Sequence, residues 1–258
     1  MEKFKAHCSS LGTGMRLTSL TDNQLQKIAD YAIKEKLTEK QREEYNDLKY
    51  RRDNPELMEG AKTLLRNWYS YKIGLDKGKE YIKEAQKGIV MEDHSIELLD
   101  DVIFGSQGLI KNTNYNSNEY IQGTADVIGD NFVLDAKSPW DSKTFFQKAI
   151  DKVDVDYIWQ LKGYCLLENK EKAILGYALV NTPTHACLMA SYQGKSFDTL
   201  EFQSTYEHIE EPRRVIAYQI PILESDEKEV EVSILKCREY LDWFQALVES
   251  KIGNVNAL

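Results

Sequence analysis

Residues 120–140, with the sequence YIQGTADVIGDNFVLDAKSPW, are the stretch that decides the expected fold. We expect two short strands joined by a tight turn at Gly129-Asp130-Asn131, because these residue types tolerate the positive φ angles of a hairpin. Side chains alternate between the two faces of a strand. The second strand therefore sends Phe132, Leu134 and Ala136 towards the core, and Val133, Asp135 and Lys137 to the opposite face.

The charged residues of this hairpin indicate a chemical role. Asp126, expected on the first strand, can bring a second carboxylate close to Asp135 and Lys137. Two carboxylates beside a lysine on apolar strands are costly unless a cation and an anionic substrate complete the arrangement. Mg²⁺ prefers carboxylate and carbonyl oxygens, and a nearby lysine can contact a phosphate oxygen. The pattern is typical of metal-assisted phosphodiester hydrolysis.

A third acid is expected on a helical region from Lys77 to Ile103, interrupted at Gly88. Helical spacing places one stripe in the core and the acids Asp93, Glu97, Asp100 and Asp101 mostly on the solvated face; the core stripe consists of Ile89, Glu92, Ile96, Leu99 and Ile103. A carboxylate on a core-facing stripe needs a partner or a metal, which favours Glu92 as a site residue. The alternative is that Glu92 lies at the edge of the stripe and reaches water. His94 has no spaced histidine partner and is left out of the site.

The segments after the hairpin continue the same arrangement. A short helical turn with Phe145 and Phe146 is expected to supply core residues, or alternatively aromatic rings that stack on bases. On a helix from Asp156 to Glu168, Gln160 lies beside buried positions, where an amide needs partners. Lys172 to Val180 is expected to form a central strand, and Arg213 to Leu223 another, whose basic pair contacts phosphate or forms rim salt bridges. A helix from Glu227 to Glu249 follows.

The first part of the chain predicts a helical extension. Phe4 to Leu17 is expected as a loop, followed by helices that begin at Thr21 and Thr38, each with a glutamine three residues on, and at Asn54-Pro55. The first of these is expected to run to about Lys36. On the middle helix Arg42, Lys49 and Arg52 share one side. They form either a strip against a DNA backbone or a solvated face paired with glutamates.

Composition excludes several classes of protein. The 258 residues carry a formal net charge of -9, so any DNA contact must be a local basic surface. The four cysteines are scattered without a CxxC pair, which favours free thiols in a reducing cytosol over a zinc or iron–sulfur site. The absence of a long apolar run and of a signal-peptide core predicts a cytoplasmic protein without a membrane span.

Four motifs occur in the order and spacing of one family; they are Glu92 on a helix, Asp126 on a strand, Asp135-x-Lys137 on the next strand, and Gln160 with Tyr164 on the following helix. This set resembles the lambda-exonuclease-like (YqaJ-type viral recombinase) branch of the PD-(D/E)xK nuclease superfamily. The segments Cys8–Gly12 and Leu37–Gln41 look like those of phage-encoded members. One departure is Asp135, where many members have a glutamate.

The resemblance implies a fold and an activity. The fold would be α/β, with a restriction-endonuclease-like core whose central mixed β-sheet is flanked by helices. Residues 77–258 would form this core and 1–76 an N-terminal helical extension of the same single domain. The activity would be that of a metal-dependent DNA exonuclease in phage-type recombination or repair, working in the cytoplasm of a bacterial host.

The resemblance also implies roles for single residues. Mg²⁺ or Mn²⁺ would be held by Glu92, Asp126, Asp135 and the carbonyl of Ala136. Lys137 would orient water and stabilise phosphate charge, while Gln160 would position water or the lysine. DNA contacts would come from Tyr164, Ser138, Arg42, Lys49 and Arg52.

The implied partners are DNA, a single-strand annealing or recombination protein, and further copies of the chain in a ring. Three alternatives stay open: an endonuclease of the same fold, a catalytically inactive DNA-binding protein, and a structural or partner-binding phage protein with a coincidental D-x-K.

Overall fold

The computed structural model describes residues 3–12, 15–74, 83–184 and 205–252. Backbone contacts divide the chain into two units. The first comprises Met1–Phe4, Thr13–Leu75 and Glu231–Leu258, and the second comprises Lys5–Gly12 and Asp76–Val230. The first unit therefore contains the end of the chain as well as most of the expected helical extension.

The first unit begins with three helices, which are α1 (Asp22–Ala32), α2 (Glu39–Asp53) and α3 (Glu59–Lys72). The two expected capping boxes are confirmed, because Thr21 with Gln24 and Thr38 with Gln41 each exchange both side-chain hydrogen bonds. α1 ends at Ala32, before the expected Lys36. The expected start of α3 at Asn54-Pro55 is wrong, since Asn54 instead ends α2 by donating its N–H to the carbonyl of Tyr50.

The rest of the first unit is supplied by most of the last helix, α7 (Asp226–Lys251), which confirms the helix expected at the end of the chain. Aromatic rings pack edge to face within this unit. Phe4 and Trp68 have ring centroids 5.1 Å apart, and Tyr69 and Phe244 have theirs 5.6 Å apart. Such pairs stabilise a core beyond the area they bury.

The described residues of the second unit form two small sheets. Short strands form the first, in the order β1 (Ala6–His7), β3 (Ile121–Gly123), β2 (Asn116–Ser117), so part of the expected opening loop is a strand. The second sheet has the order β4 (Val127–Ile128), β5 (Phe132–Lys137), β6 (Lys172–Ala178), β7 (Val215–Ile220). It is mixed, because β5 pairs antiparallel with β4 and parallel with β6. The expected hairpin and the central position of β6 are confirmed.

The hairpin turn closes for a different reason from the one expected. The N–H of Gly129 donates to the carbonyl of Phe132, but Gly129 does not have a positive φ. A Cβ at Gly129 would instead collide with the ring of Phe132. Glycine is therefore required here for close approach of the ring rather than for backbone freedom.

The helices α4 (Lys83–Leu99) and α6 (Val155–Glu168) both pack against β5 and β6. The expected interruption of α4 at Gly88 is wrong, since the helix runs through that residue and continues into a π-helical turn at Asp100–Phe104. Ile96 and Leu99 are buried as expected, whereas Ile89 and Ile103 are exposed. With a mixed central sheet flanked by helices, the second unit has the expected α/β fold.

The crossover from β5 to β6 contains α5 (Ser142–Gln147) as well as α6. Phe145 is buried, but the ring of Phe146 is exposed, so the core expectation holds for only one of the two. β5 ends at Lys137 as expected, before Ser138-Pro139. This crossover brings Gln160 of α6 beside Asp135 of β5.

Candidate active site

Asp135 is the centre of the candidate site. It lies on β5 with 0% of its surface exposed, and its Oδ1 accepts a hydrogen bond of 3.0 Å from Nε2 of Gln160. The ammonium of Lys137 lies 2.7 Å from Oδ2. This Oδ2 is buried and accepts no well-oriented hydrogen bond from the described residues. Oδ1 of this buried carboxylate is thus held by a hydrogen bond, whereas Oδ2 is stabilised by the charge of Lys137.

Asp126 lies immediately before β4 rather than within a strand, yet its carboxylate reaches β5. Its Oδ2 accepts a hydrogen bond of 2.7 Å from the backbone N–H of Ala136. Burial, together with the charge of Asp135, raises the pKa of Asp126 to about 8, although Lys137 and the Ala136 N–H act in the opposite direction. The negative charge of these two acids is therefore only partly compensated within the chain.

Lys137 brings its charge to an open cavity. Burial alone would lower its pKa, but the carboxylates of Asp135 and Asp126 outweigh burial and raise the pKa above its ordinary value. Its ammonium lies 4.9 Å from the ring centroid of Tyr157, a cation–π distance. Lys137 is therefore charged, and its ammonium contacts the carboxylate of Asp135 and the ring of Tyr157.

The cavity has a volume of about 690 Å³, and its walls include Glu92, Asp126, Ala136, Lys137, Ser138 and Tyr157. Glu92 of α4 and the hairpin residues Asp126 and Lys137 therefore border one space. Ser138, expected to contact DNA, shares a hydrogen bond of 2.7 Å with the hydroxyl of Ser95 on α4. A cavity of this size and polarity admits a small charged group such as a nucleotide phosphate.

Glu92 faces the cavity but already has a partner. Its Oε2 lies 3.0 Å from the ammonium of Lys111, and hydrogen bonding to Glu92 raises the pKa of that lysine. Among the residues that the structure describes, no group of three or more His, Cys, Asp or Glu side chains could hold a metal ion. Glu92 and Asp126 thus border one cavity, with Asp135 buried next to Ala136 of its wall, and the three carboxylates do not form one metal centre.

Gln160 and Tyr164 are brought together on α6. Nε2 of Gln160 also donates to the hydroxyl of Tyr164, at 3.2 Å. Tyr164 is buried, and burial raises the pKa of its phenol. The amide of Gln160 thus donates to both Asp135 and Tyr164, which gives these buried polar groups hydrogen-bond partners.

The predicted basic strip lies on α2 in the first unit, whereas the cavity belongs to the second. Arg42 is exposed, Lys49 lies 5.4 Å from the ring centroid of Tyr45, and Arg52 forms an ion pair of 2.8 Å with Asp53. The pair Arg213 and Arg214 forms salt bridges of 3.3 and 3.6 Å with Glu210 and Glu211. That observation agrees with the rim salt bridges rather than the phosphate contact.

Two lysines near the cavity were not assigned a role from the sequence. Lys87 is fully buried, and its ammonium donates to the carbonyls of Pro139, Trp140 and Val180 at 2.7, 3.1 and 2.9 Å. It fixes the chain where it leaves β5. No local pattern in the sequence marks Lys87 or Lys111.

The donor types at the cavity fit a hard divalent cation. Asp126 has a pKa raised by burial and by a neighbouring acid, and Asp135 has a buried oxygen without a well-oriented hydrogen bond. Both features are relieved by a cation, and carboxylate and carbonyl oxygens are the ligands that Mg²⁺ and Mn²⁺ prefer. Asp126 and Asp135, with the carbonyl of Ala136, are the residues that could hold it.

The described part of the second unit is an α/β fold with a mixed sheet flanked by helices, and solved structures share this fold. The crystal structure of a phage-related exonuclease from Haemophilus somnus 129PT is similar over 95% of this chain and 97% of its own, with a TM-score of 0.68 and 20% sequence identity. An alkaline exonuclease from Laribacter hongkongensis, in complex with dAMP, is similar over 95% of this chain and 94% of its own, with a TM-score of 0.51 and 10% identity.

These likenesses show that the chain has the fold of these two exonucleases, as the motifs predicted. Comparison with protein-family models gave no match, and no curated protein matches the sequence. Within the described residues, no helix combines the length and the apolar character that crossing a membrane requires.

Proposed function

We propose that this protein is a metal-dependent DNA exonuclease that hydrolyses phosphodiester bonds. The observation that carries the proposal is the ion pair of Asp135 and Lys137 on β5, with Asp126 bonded to the backbone between them, at the wall of an open cavity. The fold shared with two exonucleases supports a nuclease function. The complex of one of them with dAMP supports a nucleotide as the ligand of such a fold.

Asp126, Asp135 and the Ala136 carbonyl would hold Mg²⁺ or Mn²⁺. When bound, the ion would polarise the scissile phosphate and lower the pKa of water beside it. The Lys137 ammonium, kept charged by the two acids, would stabilise negative charge that develops on phosphate oxygens in the transition state. Gln160 would keep the Asp135 carboxylate in a single orientation through its hydrogen bond to Oδ1.

The experiment that tests this function uses end-labelled linear duplex DNA and closed circular duplex DNA, each with Mg²⁺ or with EDTA. We expect release of nucleotides from the linear DNA with Mg²⁺, no release with EDTA, and no cleavage of the circle, because an exonuclease needs an end. Nicking of the circle would identify an endonuclease instead. Binding of DNA without any cleavage would identify an inactive DNA-binding protein.

We extend the proposal to phage-type recombination or repair in a bacterial cytoplasm, with a single-strand annealing protein as partner and a ring of identical chains as the assembly. These points rest on the resemblance alone, as do the DNA contacts proposed for Ser138, Tyr164, Arg42, Lys49 and Arg52. Light scattering with and without DNA tests the ring. A single species at the mass of one chain under both conditions would contradict it.

A further inference from the structure

The ion pair between Glu92 and Lys111 is the feature of the site that the proposed mechanism does not use. The two charged atoms lie 3.0 Å apart, and the side chains are only 20% and 34% exposed. Partial burial strengthens an ion pair relative to a fully solvated one, because less water screens the charges. Water therefore screens this pair less than it screens a pair of fully exposed side chains.

Lys111 is not on a loosely attached segment. The carboxylate of Asp100 accepts hydrogen bonds from the N–H groups of Gln107, Gly108 and Leu109, at 3.0, 2.7 and 2.9 Å. On the other side of Lys111, the N–H of Asn112 donates to the carbonyl of Asp126 at 2.7 Å. The side-chain amide of Asn112 donates to the carbonyl of Ala125 at 2.9 Å.

The segment that carries Lys111 is thus fixed to the end of α4 before it and to the beginning of the hairpin after it. These hydrogen bonds hold the backbone of Lys111 in place beside Glu92. Little backbone freedom is therefore lost when the ion pair forms. A lysine held in this way differs from a surface lysine that meets an acid by chance.

The charges of the site then separate into two groups. Lys111 neutralises Glu92, while Lys137 faces Asp135, and the carboxylate of Asp126 accepts a backbone N–H. Asp126 and Asp135 are therefore two acids that share a single lysine. The finding that no three-acid group among the described residues could hold a metal agrees with this separation.

We propose that Lys111 is the fixed counter-ion of Glu92, and that the free protein binds one divalent cation through Asp126 and Asp135 with Glu92 outside the ligand set. This inference rests on the proposed function, because it concerns the same cation. It differs from the expectation drawn from the sequence motif, in which Glu92 is a ligand.

The test is a calorimetric titration of the full chain with Mn²⁺, which does not depend on activity. The informative variant is Glu92→Gln combined with Lys111→Met, because it removes both members of the pair and leaves the net charge unchanged. We expect one ion per chain in the wild type and in this double variant, with affinities within roughly threefold of each other. Asp126→Asn, which removes a ligand, should weaken binding at least about tenfold.

A second variant tests the role of Lys111 separately. Lys111→Met alone leaves Glu92 without its counter-ion, and we expect Mn²⁺ binding to tighten at least about fivefold from the added negative charge near the ion. The matched control is Glu97→Gln with Lys143→Met, since both residues are exposed and their removal also leaves the net charge unchanged. Circular dichroism verifies that each variant is folded.

Three results would overturn the inference. Two ions per wild-type chain, or a double variant that loses Mn²⁺ as Asp126→Asn does, would show that Glu92 is a ligand and would leave the proposed function standing. Absence of Mn²⁺ binding by the wild type would remove the cation from the proposed function itself, and this inference with it.

Discussion

Gln160 supports Asp135 at the scale of a single hydrogen bond. In Gln160→Leu, Oδ1 of a fully buried carboxylate loses its donor. We expect the free energy of unfolding to fall by about 1–3 kcal/mol, which urea denaturation measures, and cleavage to fall with it. Tyr164→Phe is the matched control, because it removes only the acceptor of the second Gln160 bond and should cost less. A Gln160→Leu variant with wild-type stability and activity would contradict this role.

The burial of the described cysteines leads to a prediction about the reactivity of their thiols. Cys8, Cys165 and Cys237 are buried, and burial raises the pKa of each thiol from 9.0 to about 12. In a Cys187→Ser background, which removes the cysteine that lies outside the described residues, we expect a charged thiol reagent at pH 8 to label the folded protein negligibly and the urea-unfolded protein fully. Rapid labelling of the folded protein would show that these thiols are accessible.

The raised pKa values of the thiols also determine how stability changes with pH. Because the pKa of each thiol is higher in the folded state, folding favours the protonated form. This contribution to the free energy of unfolding is fully present below pH 9 and is lost as the pH rises from 9 towards 12.

At the scale of elements, the turn that ends α4 depends on one carboxylate. Asp100 accepts hydrogen bonds from three consecutive backbone N–H groups, and Asp100→Ala would leave them without this acceptor. We expect a loss of about 2–5 kcal/mol in the free energy of unfolding. Asp101→Ala is the control, since Asp101 is exposed and, among the described residues, its carboxylate accepts a hydrogen bond only from the hydroxyl of Ser106. Equal losses in the two variants would contradict the account.

Asp100 also shows where prediction of elements from the sequence stops. A regular helical period of 3.6 residues places it with the solvated acids Asp93 and Glu97. The structure contains a π-helical turn at Asp100–Phe104, which changes the period at that point and turns Asp100 inward. Capping boxes, by contrast, join residues three positions apart, so Thr21 and Thr38 could be assigned from the sequence alone.

The residues of the candidate site could likewise be predicted only where they follow a local pattern. Strand alternation correctly put Asp135 and Lys137 on one face, and a buried amide needs partners, which singled out Gln160. Lys87 and Lys111 could not be found, because their partners are carbonyls and a carboxylate distant along the chain. Such contacts depend on the tertiary structure and leave no local pattern in the sequence.

At the scale of the whole molecule, a net charge of -9 makes binding of a cation favourable to stability. A ligand that binds only the folded state stabilises it by about 2.7 kcal/mol at a hundred times its Kd. We expect Mg²⁺ to raise the midpoint of thermal unfolding of the wild type and to leave that of Asp126→Asn unchanged, as followed by calorimetry. Equal shifts in both proteins would mean that the ion binds elsewhere.

The most direct test of the central claim is the rate of nucleotide release from linear duplex DNA in Mg²⁺ by the wild type and by Lys137→Ala. Removal of one electrostatic stabiliser of the transition state should slow cleavage at least about 100-fold while the protein stays folded. Lys143→Ala, which removes an exposed lysine, is the control and should cleave at the wild-type rate. Full activity of Lys137→Ala would contradict the assignment of this cavity as the active site.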